Sequence, residues 1–112
     1  MHELSASQQQ GTLVLSVVGR VEAGNAPELE REVVAEIEKG STSMVLDCSR
    51  LDYIASAGLR VLLVVAQRIN DDGGRFAVAA VPHRIREILA ISGFDQVIAV
   101  ADSPEQAISG FN

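Results

Sequence analysis

Apolar and polar positions first fall into a strand pattern at Thr12–Val18, where Leu13, Leu15 and Val17 alternate with Thr12, Val14 and Ser16. A period of two places one set of side chains on a buried sheet face. A weaker strand signal covers Leu4–Ser7, and Gly11 between the two suits a hairpin turn. The period then lengthens. Leu29, Val33 and Ile37 recur at i, i+4 and i+8, one apolar stripe of a helix whose other sides carry Glu28, Glu30, Glu32, Glu36 and Glu38. Asn25 reads as its N-cap with Glu28 closing a capping box, Pro27 fits the first turn, and Gly40 stops the helix.

Met44–Cys48 reads as a short buried strand, and Leu51–Ile54 as the connection to Ala55-Ser56-Ala57-Gly58. A second helix follows from about Leu59 to Ile69. Asp71-Asp72-Gly73-Gly74 is a turn by composition, and the near-continuous apolar run Arg75–Val81 predicts a strand buried on both faces. Pro82 opens a third helix with Ile85, Ile88 and Leu89 on one side, and Ser92-Gly93-Phe94 resembles a glycine C-cap. Val97–Val100 is a last short strand, and Ser103-Pro104-Glu105-Gln106 starts a final helix. The predicted order is β-β-α-β-α-β-α-β-α. It belongs to the α/β class, with a mixed, mostly parallel sheet of about four to five strands and about four helices.

Composition narrows the function classes. The 112 residues suit a single domain spanning 1–112. A net charge of -6, with nine scattered basic residues, argues against a nucleic-acid partner. Cys48 is the only cysteine, which rules out an internal disulfide and a multi-thiolate metal site. The first ten residues lack the basic and apolar regions of a secretory leader, and Val61–Ala66 is too short to cross a bilayer. A cytoplasmic location without membrane insertion is expected.

Candidate chemistry is sparse. The sequence carries neither a dinucleotide fingerprint nor a phosphate loop, so nucleotide binding has no support, and no cofactor or metal is expected. Ser56, His83 and Asp47 supply the residue types of a hydrolytic triad, but Ile54 stands where a nucleophile elbow needs glycine. No catalytic residue is assigned, and a non-enzymatic role is expected. His2 is expected in a mobile terminus and Cys48 as a small buried hydrophobe.

The informative stretch is Asp47–Leu59. Ser56 is expected to cap the second helix, next to amides that lack intrahelical partners. The same position would accommodate a phosphate. Small neighbours leave Ser56 unobstructed, and Gly58 would admit a partner's backbone. Val61, Val64 and Val65 add apolar positions beyond the core-facing Leu59, Leu62, Leu63, Ala66 and Ile69. A helix apolar nearly all round in so short a chain predicts an interface. The expected partner surface is Ser56, Ala57, Arg60, Val61, Val64 and Arg68.

Asp47-x-Ser49-x-x-x-x-Ile54-Ala55-Ser56-Ala57-Gly58-Leu59-x-Val61-Leu62-Leu63 resembles the signature of the STAS family, named for sulfate transporters and anti-sigma factor antagonists. Gly19-Arg20-Val21-Glu22-Ala23 resembles that family's opening segment, which adds Glu22 and Ala55 to the expected surface. The resemblance implies a STAS fold over the whole chain. It also implies a stand-alone antagonist that binds an anti-sigma factor with serine kinase activity. Phosphorylation of Ser56 would end that binding, and a serine phosphatase would restore it. Ala55 and Ala57 stand where the best-studied members carry an acidic residue and a Ser or Thr, and Glu22 where Asp is frequent. An alternative within the family is an unphosphorylated scaffold or accessory subunit of a lipid- or anion-transport or signalling complex.

Overall fold

The hairpin turn decides where the sheet begins. Gln10 and Gly11 have φ of +52° and +79°, the left-handed pair of a type I′ connection, and Gln9 pairs with Thr12 across it. A computed structural model describes residues 1–111. Strand β1 (His2–Gln9) runs antiparallel along β2 (Thr12–Val21), beyond the weak apolar signal at Leu4–Ser7. Backbone pairing rather than side-chain burial extends it.

The remaining elements are α1 (Ala26–Glu38), β3 (Ser43–Asp47), β4 (Leu51–Ile54), α2 (Ser56–Asp71), β5 (Arg75–Ala79), α3 (His83–Ile91), a 3-10 turn at Phe94–Gln96, β6 (Ala99–Ala101) and α4 (Pro104–Phe111). The sheet has six strands in the order β1-β2-β3-β5-β6, with β4 paired to β2. All pairings after the hairpin are parallel.

The strand beyond the expected four to five is β4, where a connection was expected. Strand β2 is long enough to serve two neighbours: Leu13–Ser16 pair with β3, and Gly19–Val21 pair with β4. The register shifts between Gly19 and Arg20. At Gly19, φ is +104° and a Cβ would stand 2.7 Å from the Met1 carbonyl oxygen, so glycine is required.

Alternation along β2 separates two cores. Leu13, Leu15, Val17 and Val21 join the larger one, shared with α1, α2 and α3 through residues such as Leu29, Val33, Leu62, Val65, Ile85 and Leu89. Val14, Val45, Ala77 and Ala79 face α4, whose Ala107 and Ile108 complete the smaller core. Alanines on that face let a short helix sit close to the strands. Ile88 departs from expectation, being exposed while Ile85 and Leu89 are buried.

The two Ser/Asn cap signals diverge. Ser103 Oγ accepts the Gln106 N–H at 3.1 Å, as the sequence predicts for α4. Asn25 makes no side-chain cap bond to α1. Its Oδ1 instead accepts the Glu22 N–H at 2.7 Å, and its Nδ2 donates to the Arg20 carbonyl at 2.9 Å. Asn25 therefore braces the β2–α1 loop from within. His2 is not a free terminus either: its side chain is 2% exposed and lies 2.6 Å from Glu32 of α1.

Candidate functional site

Ser56 is placed by the ends of two strands. The Ala55 N–H donates to the Val21 carbonyl at 2.8 Å, continuing the β2–β4 ladder by one bond. Ala55 is extended and occupies the cap position, and its carbonyl accepts from Gly58 and Leu59 at 2.9 and 3.0 Å. Ser56 is thus the first helical residue, one position later than the expected cap. Its exposed side chain is spared the capping role, and Ala55 has no oxygen to offer the first-turn amides. An anion at such a hydroxyl would lie beside the unpaired first-turn amides and the positive end of the helix dipole.

Gly58 holds this corner from beneath. It is buried, and a Cβ there would stand 2.5 Å from Ile54 Cγ1 and 2.7 Å from Val21 Cγ1. The close approach it permits is therefore internal, between α2 and the ends of β2 and β4. The expectation that Gly58 admits a partner's backbone is corrected on that ground.

Helix α2 also buries more of its apolar surface than expected. Val61 is 4% exposed and Val65 2%, because both pack into the larger core shared by the sheet and the helices. Val61 is thus corrected from an open contact residue to a buried one. At 100° per residue the outward stripe is Ser56, Arg60, Val64 and Gln67, all exposed, with Leu63 half-buried at its edge. Val64 is the large apolar side chain left on this stripe, 37% exposed. Beside it, Ala23, Ala26, Pro27, Glu30, Arg31, Ala57, Arg60 and Val61 line an open groove of about 370 Å³ between α1 and α2.

The other expected residues divide by distance. Glu22 is exposed in the β2–α1 loop, and its Oε1 accepts from Arg20 Nε at 3.1 Å. Arg68 lies about 18 Å along the helix from Ser56, at 1.5 Å per residue. There it sits 4.0 Å from Glu38 and 3.8 Å from Asp72. These exposed pairs contribute at most about 1 kcal/mol each. Arg68 is therefore at the far end of the surface, while Ala55 and Ala57 flank Ser56, Arg60 follows it by one turn, and Glu22 follows Val21, whose carbonyl holds the Ala55 N–H.

Three residues at this corner escaped the sequence reading. The Arg20 guanidinium lies over the Tyr53 ring at 4.5 Å, and Tyr53 is 40% exposed. The usable signal was the lone tyrosine of the chain, three residues before Ser56. Arg84 of α3 donates to the Asp52 carbonyl at 3.3 Å, tying a third element to the same edge.

The hydrolytic trio does not assemble. His83 is paired with Glu87 at 2.7 Å, and Asp47 accepts the Ser49 N–H at 3.0 Å. Among the described residues no cluster of three or more His, Cys, Asp or Glu side chains could hold a metal ion. Nor is any helix among them long and apolar enough to cross a membrane. Burial, helped by the charge of Asp47, pushes the Cys48 thiol up to about 12. The thiol is therefore held neutral and shielded, as suits a small core residue.

Known proteins share this fold. BtrV of Bordetella bronchiseptica, provisionally named an anti-sigma factor antagonist, is 39% identical over 97% of this chain and 94% of its own. The crystal structure of an anti-sigma factor antagonist from Mycobacterium paratuberculosis superposes with a TM-score of 0.90. It is 22% identical, covering 99% of this chain and 94% of that one. The phosphorylated form of the Bacillus cell fate determinant SpoIIAA gives 0.73 at 18% identity, with full coverage (100%) of both chains. The STAS domain family matches residues 3–107, and with BtrV's similarity over nearly the whole length it shows that the chain belongs to the STAS domain family.

Proposed function

We propose that this protein is a cytoplasmic anti-sigma factor antagonist. In its unphosphorylated form it binds an anti-sigma factor with serine kinase activity; phosphorylation at Ser56 releases it, and a serine phosphatase resets it. The protein itself catalyses nothing. The observation that carries the reading is Ser56: exposed, first in α2, and free of the capping role. The names of BtrV and of the Mycobacterium paratuberculosis protein support it.

The contact surface is Glu22, Ala55, Ser56, Ala57, Arg60 and Val64, with Arg68 at its far end. Gly58 and Val61 shape it from beneath. A phosphate adds close to two negative charges and three acceptor oxygens. Beside unpaired helix amides and one turn before Arg60, those charges do not threaten the helix. They do threaten an interface, because a partner seated over Ala55, Ala57 and Val64 would have to strip water from them. The switch is therefore electrostatic and local.

Incubation with ATP and the serine-kinase anti-sigma factor of the same genome tests this. The expected outcome is a mass gain of about 80 Da that Ser56→Ala abolishes. No gain in the wild type, or an equal gain in Ser56→Ala, contradicts it.

Ala55 and Ala57 favour a second reading, a constitutive scaffold in a transport or signalling complex, because they leave Ser56 without polar side chains beside it. That reading predicts unchanged partner binding by Ser56→Asp.

A further inference from the structure

His2 is a buried imidazole with no place in the contact surface, yet it sits at the end of a hydrogen-bond chain leading there. Its Nε2 is 2.6 Å from Glu32 Oε1, and its Nδ1 is 2.9 Å from Asn25 Nδ2. The orientation of the Asn25 amide is fixed by other partners. Oδ1 accepts the Glu22 N–H at 2.7 Å, and Nδ2 donates to the Arg20 carbonyl at 2.9 Å. Turning the amide over would set its NH2 against an N–H and its oxygen against a carbonyl, losing both bonds. The NH2 group therefore faces His2, and Nδ1 has to accept. That leaves the ring proton on Nε2, where the Glu32 carboxylate takes it.

We propose that His2, as the neutral Nε2–H tautomer, is a positioning residue for the β2–α1 loop, holding Glu22 through Asn25. Glu32 orients the ring, the ring orients the amide, and the amide holds both ends of the Arg20–Glu22 turn. Met1 adds a backbone bond, its carbonyl accepting the Arg20 N–H at 3.0 Å. The first strand thereby reaches a loop at the opposite end of β2 from the hairpin turn. Arg20, which the same bonds fix, carries the pairing with Glu22 and lies over Tyr53. The placement of Glu22 at a partner's contact surface rests on the function proposed above; the hydrogen-bond chain does not.

Long-range proton–nitrogen NMR spectra of the full chain at neutral pH read the tautomer directly. Protonated Nε2 with bare Nδ1 is expected. A proton on Nδ1, alone or with one on Nε2, overturns the proposal.

Amide exchange at Glu22 reads the positioning. His2→Ala should speed it about tenfold, the worth of one hydrogen bond, with the amides of β3 and β5 unchanged. His2→Asn sets a carbonyl near the place of Nδ1 and should restore the slow rate. Unchanged Glu22 exchange in His2→Ala overturns the proposal, and so does an equal acceleration across the whole chain. Titration against the anti-sigma factor separates the two claims. Weaker binding by both His2→Ala and Glu22→Ala supports both. If local exchange responds and neither variant changes affinity, the positioning stands and the role of Glu22 in binding falls.

Discussion

Gly58→Ala isolates the packing that places Ser56. The added methyl would stand 2.5 Å from Ile54 Cγ1, 3.0 Å from Ile54 Cδ1 and 2.7 Å from Val21 Cγ1. Carbon atoms in contact prefer about 3.5–4.0 Å, so the overlap is about 1 Å on two sides. Neither neighbour can yield easily. Both are β-branched and stiff at χ1, and Val21 is fully buried with Ile54 5% exposed. Overpacking of this kind costs about 1–3 kcal/mol, and contact with two side chains puts it in the upper half. Alanine's better helix propensity returns about 1 kcal/mol. The net loss is about 1–2 kcal/mol, a fall in Tm of roughly 5–10 °C for a chain of this size. Thermal unfolding by circular dichroism measures it. An unchanged or raised Tm would mean that propensity outweighs packing, and would refute the account of how α2 is seated.

Other consequences follow from the same geometry. The thiol of Cys48, raised by burial and Asp47 from 9.0 to about 12, stays neutral in the fold while the unfolded chain ionises near 9. Stability from it is full below pH 9 and lost as pH rises toward 12, by up to about 4 kcal/mol at 1.36 kcal/mol per unit. Urea titrations across that window should show a wild-type loss absent from Cys48→Ala; parallel curves contradict it. Gln10→Asn, placing Asn-Gly in the left-handed turn, should raise stability by about 0.5 kcal/mol in the same assay, and a loss argues against the turn type. Val64→Asp should cost about 1 kcal/mol of stability, since the side chain is 37% exposed, yet weaken anti-sigma factor binding about tenfold or more. Unaltered affinity removes Val64 from the surface.

The sequence was legible where side chains repeat with burial. The α1 stripe of Leu29, Val33 and Ile37 and the runs of β3 and β5 are periodic because each faces one or two apolar layers. Strand β4 was hidden because only Leu51 and Ile54 are buried, at a spacing that matches no strand period, and its partner is the far end of an already paired strand. Val61 and Val65 looked surplus because the reading had no means of setting α1 against α2. Asn25 had the composition of a cap, but its amide went to the preceding loop. His2 offered no local signal, since its partners lie 23 and 30 residues away. The sequence places Ser56 at or next to the start of α2, and in the fold it is the first helical residue rather than the cap. That difference matters, since a capping oxygen is engaged and a first-turn hydroxyl is not.

The most direct test is calorimetric titration of the serine-kinase anti-sigma factor with the unmodified chain and with the chain phosphorylated at Ser56. The account predicts tight binding by the first and at least a tenfold weaker Kd for the second, a difference of about 1.4 kcal/mol or more. Equal affinities would contradict it.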